Sequence, residues 1–315
     1  MAVRKGYIYT TVVIIFLIVM LSVFYTYEFY KAGSKDDTIE TRIRTMNDFL
    51  DDLKIDSERA AYISGFRTLI ALEEYVSETG EFLDDMEASF IEVFYNGKIG
   101  NFSPEILNQS SFSLYIQRVN QKSNNIDVSM NITVSSIDFS QSDPWTVVVD
   151  VHTAVTITDN KGLANWNFNE TYTSEISIDN LKDPLYSVNT LGRLQSFIVA
   201  TNITEFVVNN QTDNLMTHIE NGYYDASDKA PSFIMRFEGD LSSDANGIES
   251  IVDISFLEDQ EDIVIDYTRS VVDYIYFGNQ TTSNKCNVQN MPSWFKIDDN
   301  HLSDYEIDEL SYSDC

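Results

Sequence analysis

A run of 22 residues without a single charge, Gly6 to Tyr27, opens the chain and constrains what the rest can be. Its centre, Val12 to Phe24, is apolar except for Ser22. About twenty such residues in a helix cross the ~30 Å hydrocarbon layer of a bilayer. Tyr7 and Tyr9 at one end, and Tyr25, Tyr27 and Tyr30 at the other, fall where aromatic belts meet the two interfaces. Arg4 and Lys5 ahead of the run favour a cytoplasmic N-terminus, which puts everything after about Glu28 outside. Residues 1–30 therefore read as a transmembrane anchor that meets the lipid bilayer through residues 7–27. A cleaved secretory signal is the alternative. Its nearest small-residue cleavage candidate, Tyr30 with Ala32, places a bulky side chain at the upstream position, which favours retention.

The charge divides at the same place. Residues 1–35 hold Arg4, Lys5, Lys31 and Lys35 against Glu28, a net +3, within a chain of formal charge −30; the rest therefore carries −33. Fifty acids against twenty Lys and Arg exclude nucleic acid as a partner, because phosphate binding needs clustered cations. A polybasic grip on anionic lipid is excluded likewise. The chain is not disordered by composition: it is 43% hydrophobic and 13% aromatic, enough for a real core. With 30 Asp, 20 Glu and only 11 Lys, the acidity has two readings. One is a surface adapted to high salt, where screening removes self-repulsion; the other is a surface for cations or basic partners.

The residues Arg4-Lys5-Gly6, followed at once by Tyr7-Ile8-Tyr9-Thr10 and the apolar run, resemble the class III signal sequence of archaeal type IV pilin-like proteins. The resemblance covers about the first 25 residues. It implies cleavage between Gly6 and Tyr7 at the cytoplasmic face, with the apolar helix retained for packing into a filament. Thr11 stands where the bacterial pilin pattern has Glu. Three further stretches, Asp143-Pro144-Trp145-Thr146-Val147, Asp183-Pro184-Leu185-Tyr186 and Ala230-Pro231-Ser232-Phe233, make the layout similar to membrane-anchored archaeal surface proteins, a group that brings no established activity.

The expected architecture is α+β: an N-terminal transmembrane helix, a helical stalk, an antiparallel β-domain packed with helices, and a second, smaller α+β unit. Gly33 to Asp37 is polar and is expected to break or loosen the first helix. Ile39, Ile43, Met46, Leu50 and Leu53 then trace an a/d seam of two heptads. The seam is too short for a confident coiled coil, so packing against the chain's own later domains leads. Helices are expected at about 37–54, 57–78 and 81–95, the last with Phe82, Met86, Phe90 and Phe94 on one face. This helical part spans 31–98. Alternation of period two marks strands around Ile126–Val134, Val147–Ile157 and Asn165–Ile178, within a β-domain at 99–186. A second unit at 187–280 has helices expected at Asp213–Asn221 and Pro231–Glu238. Residues 281–315 read as an exposed acidic tail.

The expected outer part carries seven Asn-x-Ser/Thr sequons, at Asn101, Asn108, Asn131, Asn169, Asn202, Asn210 and Asn279, a mild enrichment that fits a glycosylated exported surface. Cys286 and Cys315 are open to two readings. They form one disulfide closing a loop of about 30 residues, worth about 3 kcal/mol in the chain-entropy model, or they are two unpaired thiols.

Signatures of chemistry are missing. His152, His218 and His301 are far apart, with no ligand at metal-site spacing; no phosphate-binding glycine loop and no nucleophile elbow occur. Ser242, Asp244, Asn246, Gly247 and Asp253 loosely echo a calcium loop, but Asn246-Gly247 reads better as a plain turn. No catalytic residue, metal or cofactor is therefore assigned. The expected function is a membrane-anchored structural or interaction protein of the cell surface, with other pilin-like or surface subunits as partners. The alternative from another class is an anchored ligand-binding or sensor domain, or an extracytoplasmic hydrolase.

Overall fold

The computed structural model describes residues 3–162, 164–258, 260, 263–278, 284–308, 310 and 312–313. It opens with α1, one helix from Val3 to Thr79. Seventy-seven residues at 1.5 Å each give a rod of about 115 Å. The expected break at Gly33–Asp37 and the division near Ser57 are both absent. The first proline is Pro104, and a glycine costs a helix about 1 kcal/mol without removing a hydrogen bond, so nothing here stops propagation. Gly80, at φ +66°, ends the helix, and its N–H donates to Val76.

One stretch of α1, Tyr9–Lys31, is long and apolar enough to cross a membrane, and none of it is buried by the fold. From Met46 the same helix enters the core: Met46, Leu53, Ala61, Leu69, Leu72 and Val76 are buried. Met46 and Leu53 belong to the expected seam and are covered by the chain's own body. Ser57 and Ser64, where that seam fails, are buried too. Ser57 Oγ shares a hydrogen bond with Tyr115 Oη at 2.9 Å, and Ser64 Oγ donates to the Ser110 carbonyl at 2.8 Å. Small polar side chains let the next layer approach closely there.

That layer is α2 (Met86–Asn96) and α3 (Phe112–Asn124). The expected helix at 81–95 begins later, because Asp85 caps it by accepting from the Ala88 N–H at 2.8 Å. Strands β1 (Val128–Asp143), β2 (Thr146–Asp159) and β3 (Asn165–Ser177) form an antiparallel meander in the order β1-β2-β3. Val147, Val149, Val151, Val155 and Ile157 turn one face of β2 inward. On β1 the buried set is Val128 and Ile132, then Ile137 and Phe139. The change of parity is absorbed by a register shift between Val134 and Ser136, which keeps both halves facing the core. Phe90 of α2 stacks on Phe139 with centroids 3.9 Å apart. Gly65 marks the closest approach of α1 to the sheet: a Cβ there would lie 2.6 Å from Ile176 Cδ1.

The remaining chain is built from short elements: α4 (Pro184–Asn189), α5 (Asp213–Glu220), β4 (Tyr224–Ala226), α6 (Phe233–Glu238), β5 (Ile248–Ser250), α7 (Ile254–Glu258), α8 (Asp273–Phe277), β6 (Lys285–Val288), β7 (Lys296–Asp298) and β8 (Tyr312–Ser313). The α+β class is as expected, and so are helices at α5 and α6. The exposed tail is not. Residues 285–298 supply two strands, and Phe295, Ile297, Leu302, Tyr305, Ile307 and Leu310 are buried in the core cluster. Partners for the charges make this possible: Asp298 meets His301, Asp304 meets Lys229, and Glu306 accepts from the Phe206 and Val207 N–H groups.

Candidate functional site

A groove of about 870 Å³ lies between α1 and α3. Successive turns of α1 place Phe49, Leu53, Ala60, Ile63 and Arg67 along one side; α3 contributes Tyr115, Arg118, Val119 and Lys122 on the other. The Ser57–Tyr115 hydrogen bond ties the two helices together beneath it. Burial raises the Tyr115 hydroxyl far above its ordinary range, so it stays protonated. Four cations line the groove: Arg59, Arg67, Arg118 and Lys122. Arg59, Arg118 and Lys122 are exposed and Arg67 is half-buried. Asp52 and Asp56 are the acids on its rim, so it is locally positive within a body of opposite sign. Ile55 and Ile63 remain 57% and 40% exposed at its edge, which gives it an apolar component as well.

Two ion clusters lie inside the second half of the chain. In the first, Arg236 Nη1 meets Asp183 Oδ2 at 2.6 Å and Asp273 Oδ2 at 2.9 Å, all three side chains fully buried. Arg236 also donates to the Ile248 carbonyl, Tyr224 Oη donates to Asp183, and Ser250 Oγ donates to Asp273. Burial pushes the Asp273 carboxyl up to about 6, against the pull of Arg236. The ions compensate one another, although Arg236 Nε is buried without a hydrogen-bond partner among the described residues.

The second brings together residues remote in sequence. His301 Nδ1 lies 2.8 Å from Asp298 Oδ1; its Nε2 lies 3.0 Å from Tyr274 Oη and 3.5 Å from Glu249 Oε2. Burial lowers the His301 pKa, but the hydrogen bonds to Asp298 and Glu249 outweigh it and bring it to about 10. Glu249, His301 and Asp304 each bring one possible ligand atom within 4.8 Å of the others, so these residues could hold a metal. His301 and Asp304, however, are already engaged, while Glu249 accepts from Tyr305 at Oε1 and its buried Oε2 has no hydrogen-bond partner among the described residues. Tyr274 occupies Nε2, and Lys229 Nζ holds Asp304 Oδ2 at 2.6 Å and the Asn300 carbonyl at 2.8 Å. A protonated His301 between two carboxylates accounts for this arrangement.

The other expected positions can be placed. His152 is on the open face of the sheet between Asp138 (2.9 Å) and Thr171 (2.8 Å). His218 is buried among Phe206, Tyr223 and Tyr305, and burial lowers it to about 4, so it is neutral. The residues with a calcium-loop echo form a turn. Asp244 accepts from the Asn246 N–H, Asp253 caps the start of α7 through Ser255, and a Cβ at Gly247 would fall 2.1 Å from the Ala230 carbonyl oxygen. The asparagines of six sequons, Asn101, Asn108, Asn131, Asn169, Asn202 and Asn210, are exposed; Asn279 lies outside the described residues. Cys286 is buried on β6 and disulfide-bonded, and Cys315 lies outside the described residues. Gly6 and Tyr7 lie on the first turns of α1.

The groove cations were not singled out from the sequence. The signal was available: Arg118 and Lys122 are four apart on an amphipathic helix, and no cation or histidine follows Arg67 until Lys98. No family model, no curated protein and no solved structure matches this chain.

Proposed function

We propose that the chain is a membrane-anchored structural or interaction protein of the cell surface, a pilin-like subunit of a filament or associated with one. Its N-terminus is cytoplasmic and its body extracellular. The observation that carries this reading is the continuity of α1. The helix leaves Tyr9–Lys31 wholly uncovered and, without a break, becomes the helix on which the body's core is assembled. A body joined to its span by a flexible linker is free to reorient. A body built on the span's own helix moves with it and presents fixed faces to its neighbours. The six exposed sequon asparagines and the net −33 beyond residue 35 support an outer placement.

Mild shearing of the producing cells, followed by sedimentation of what is released, tests the reading. The chain is expected in the sheared, sedimenting fraction with its span still attached. A chain that stays in the membrane as single copies, or that is recovered from the cytosol, contradicts it. Intact-mass analysis of the same material tests processing: loss of residues 1–6 is expected, and their retention removes Gly6 as a cleavage site.

A further inference from the structure

We infer that the groove between α1 and α3 seats the acidic stretch Glu74–Glu92 of a second copy of this chain, an inference that rests on the surface-assembly reading above. The groove gathers Arg59, Arg67, Arg118 and Lys122, and among the described residues none of them makes a salt bridge. In a chain with 50 acids and 20 Lys and Arg, four cations outside any salt bridge among the described residues, facing two acids around one concavity, form a local attractor for negative charge.

The complement lies directly beyond it in the same sequence. From Thr68 to Gly97 there is no Lys, Arg or His, while Glu74, Glu78, Glu81, Asp84, Asp85 and Glu87 are all exposed. They run over the last turns of α1 into the start of α2. Two copies of so acidic a body repel unless such opposite patches meet, and matched patches fix register more than they add affinity. The apolar side chains of the groove, Ile63 and Val119 among them, supply a contact that salt does not screen.

The geometry sets the offset. Arg59 and Arg67 precede Glu74 to Glu87 by 7 to 28 residues, of which the helical part amounts to roughly 10–30 Å along α1. Two copies level in one bilayer do not bring these patches together; a copy displaced along the helix axis does. Such a contact is heterologous: it leaves a free groove on one copy and a free acidic stretch on the other, so it repeats instead of closing. Lipid headgroups are the less suitable occupant, because Phe49, where the groove begins, lies roughly 27 Å along the helix from Lys31.

A photo-crosslinking residue at Val119 of the full-length chain, activated in the producing cells, tests this. The expected product is a dimer whose cross-linked peptide falls within residues 74–92 of the other copy. Arg118→Glu with Lys122→Glu is expected to lower the yield roughly tenfold or more, and Glu78→Lys with Asp84→Lys on the other copy to restore it. Both cations are exposed, and an unchanged circular dichroism spectrum and melting temperature establish that the reversed chain is folded. A cross-link to another polypeptide, a dimer joined elsewhere, no cross-link, or a yield that ignores charge reversal overturns the inference. If shearing still releases sedimenting material in that case, the surface-assembly reading stands and only this interface falls.

Discussion

Arg236 illustrates how single residues carry the second half of the molecule. Its guanidinium compensates Asp183 and Asp273, none of the three exposed. Breaking a buried pair costs about 3–5 kcal/mol because the remaining charges keep their desolvation penalty. Arg236→Ala is therefore expected to lower stability by about that amount in denaturant titration of the detergent-solubilised chain. Adding Asp183→Asn and Asp273→Asn should return part of the loss; no recovery would mean that packing, not charge, holds the site. Glu73 on α1 behaves in the opposite sense. Burial raises its pKa to about 8 from an ordinary 4.5, and its Oε1 has no hydrogen-bond partner. The folded state then holds a proton that the unfolded chain has released. Its favourable contribution is complete below about 4.5 and is lost as pH rises to about 8. Glu73→Gln is expected to leave stability at pH 4.5 nearly unchanged and to raise it at pH 8 and above, by an amount on the order of a few kcal/mol. Equal effects at both pH values would contradict the assignment.

At the scale of elements, the seating of α1 on the sheet depends on Gly65, where a Cβ would meet Ile176 at 2.6 Å and Val149 at 3.4 Å. Gly65→Val is expected to cost about 1–3 kcal/mol through overpacking, despite the gain in helix propensity, read as a fall in melting temperature. A neutral or stabilising outcome would show that the sheet yields. The strands were legible in advance because period-two alternation at Val128–Val134 and Val147–Ile157 reports directly which face is buried. The continuity of α1 was not, because Gly33-Ser34-Lys35-Asp36-Asp37 looks like a linker by composition, while a helix is ended by geometry: proline, or a capping residue that turns the chain. The order in residues 285–310 was hidden for a related reason. Asp298, Asp304 and Glu306 read as solvated charge, yet each has a partner: His301 three residues on for Asp298, and Lys229 and the 206–207 backbone from elsewhere in the fold for the other two. His301 with Glu249, 52 positions apart, has no sequence spacing that reveals it.

For the whole molecule, charge and shape coincide: a +3 end holding a helix long and apolar enough to cross a membrane, a rod, and a body of −33 with four of its cations around one groove. Self-repulsion of that body should be relieved by screening, since the Debye length falls from about 30 Å at 0.01 M to about 3 Å at 1 M salt. The melting temperature of the solubilised chain is expected to rise from low to molar salt; a flat profile would mean that the acidity serves a bound cation or partner instead. The account as a whole depends on which side of the membrane the body occupies. The direct measurement is labelling of intact cells with a membrane-impermeant amine reagent, followed by peptide mapping. Exposed Lys98 and Lys161 should label without lysis, while Lys5 labels only after lysis or is absent from the processed chain. Labelling of those two lysines only after lysis would contradict the account.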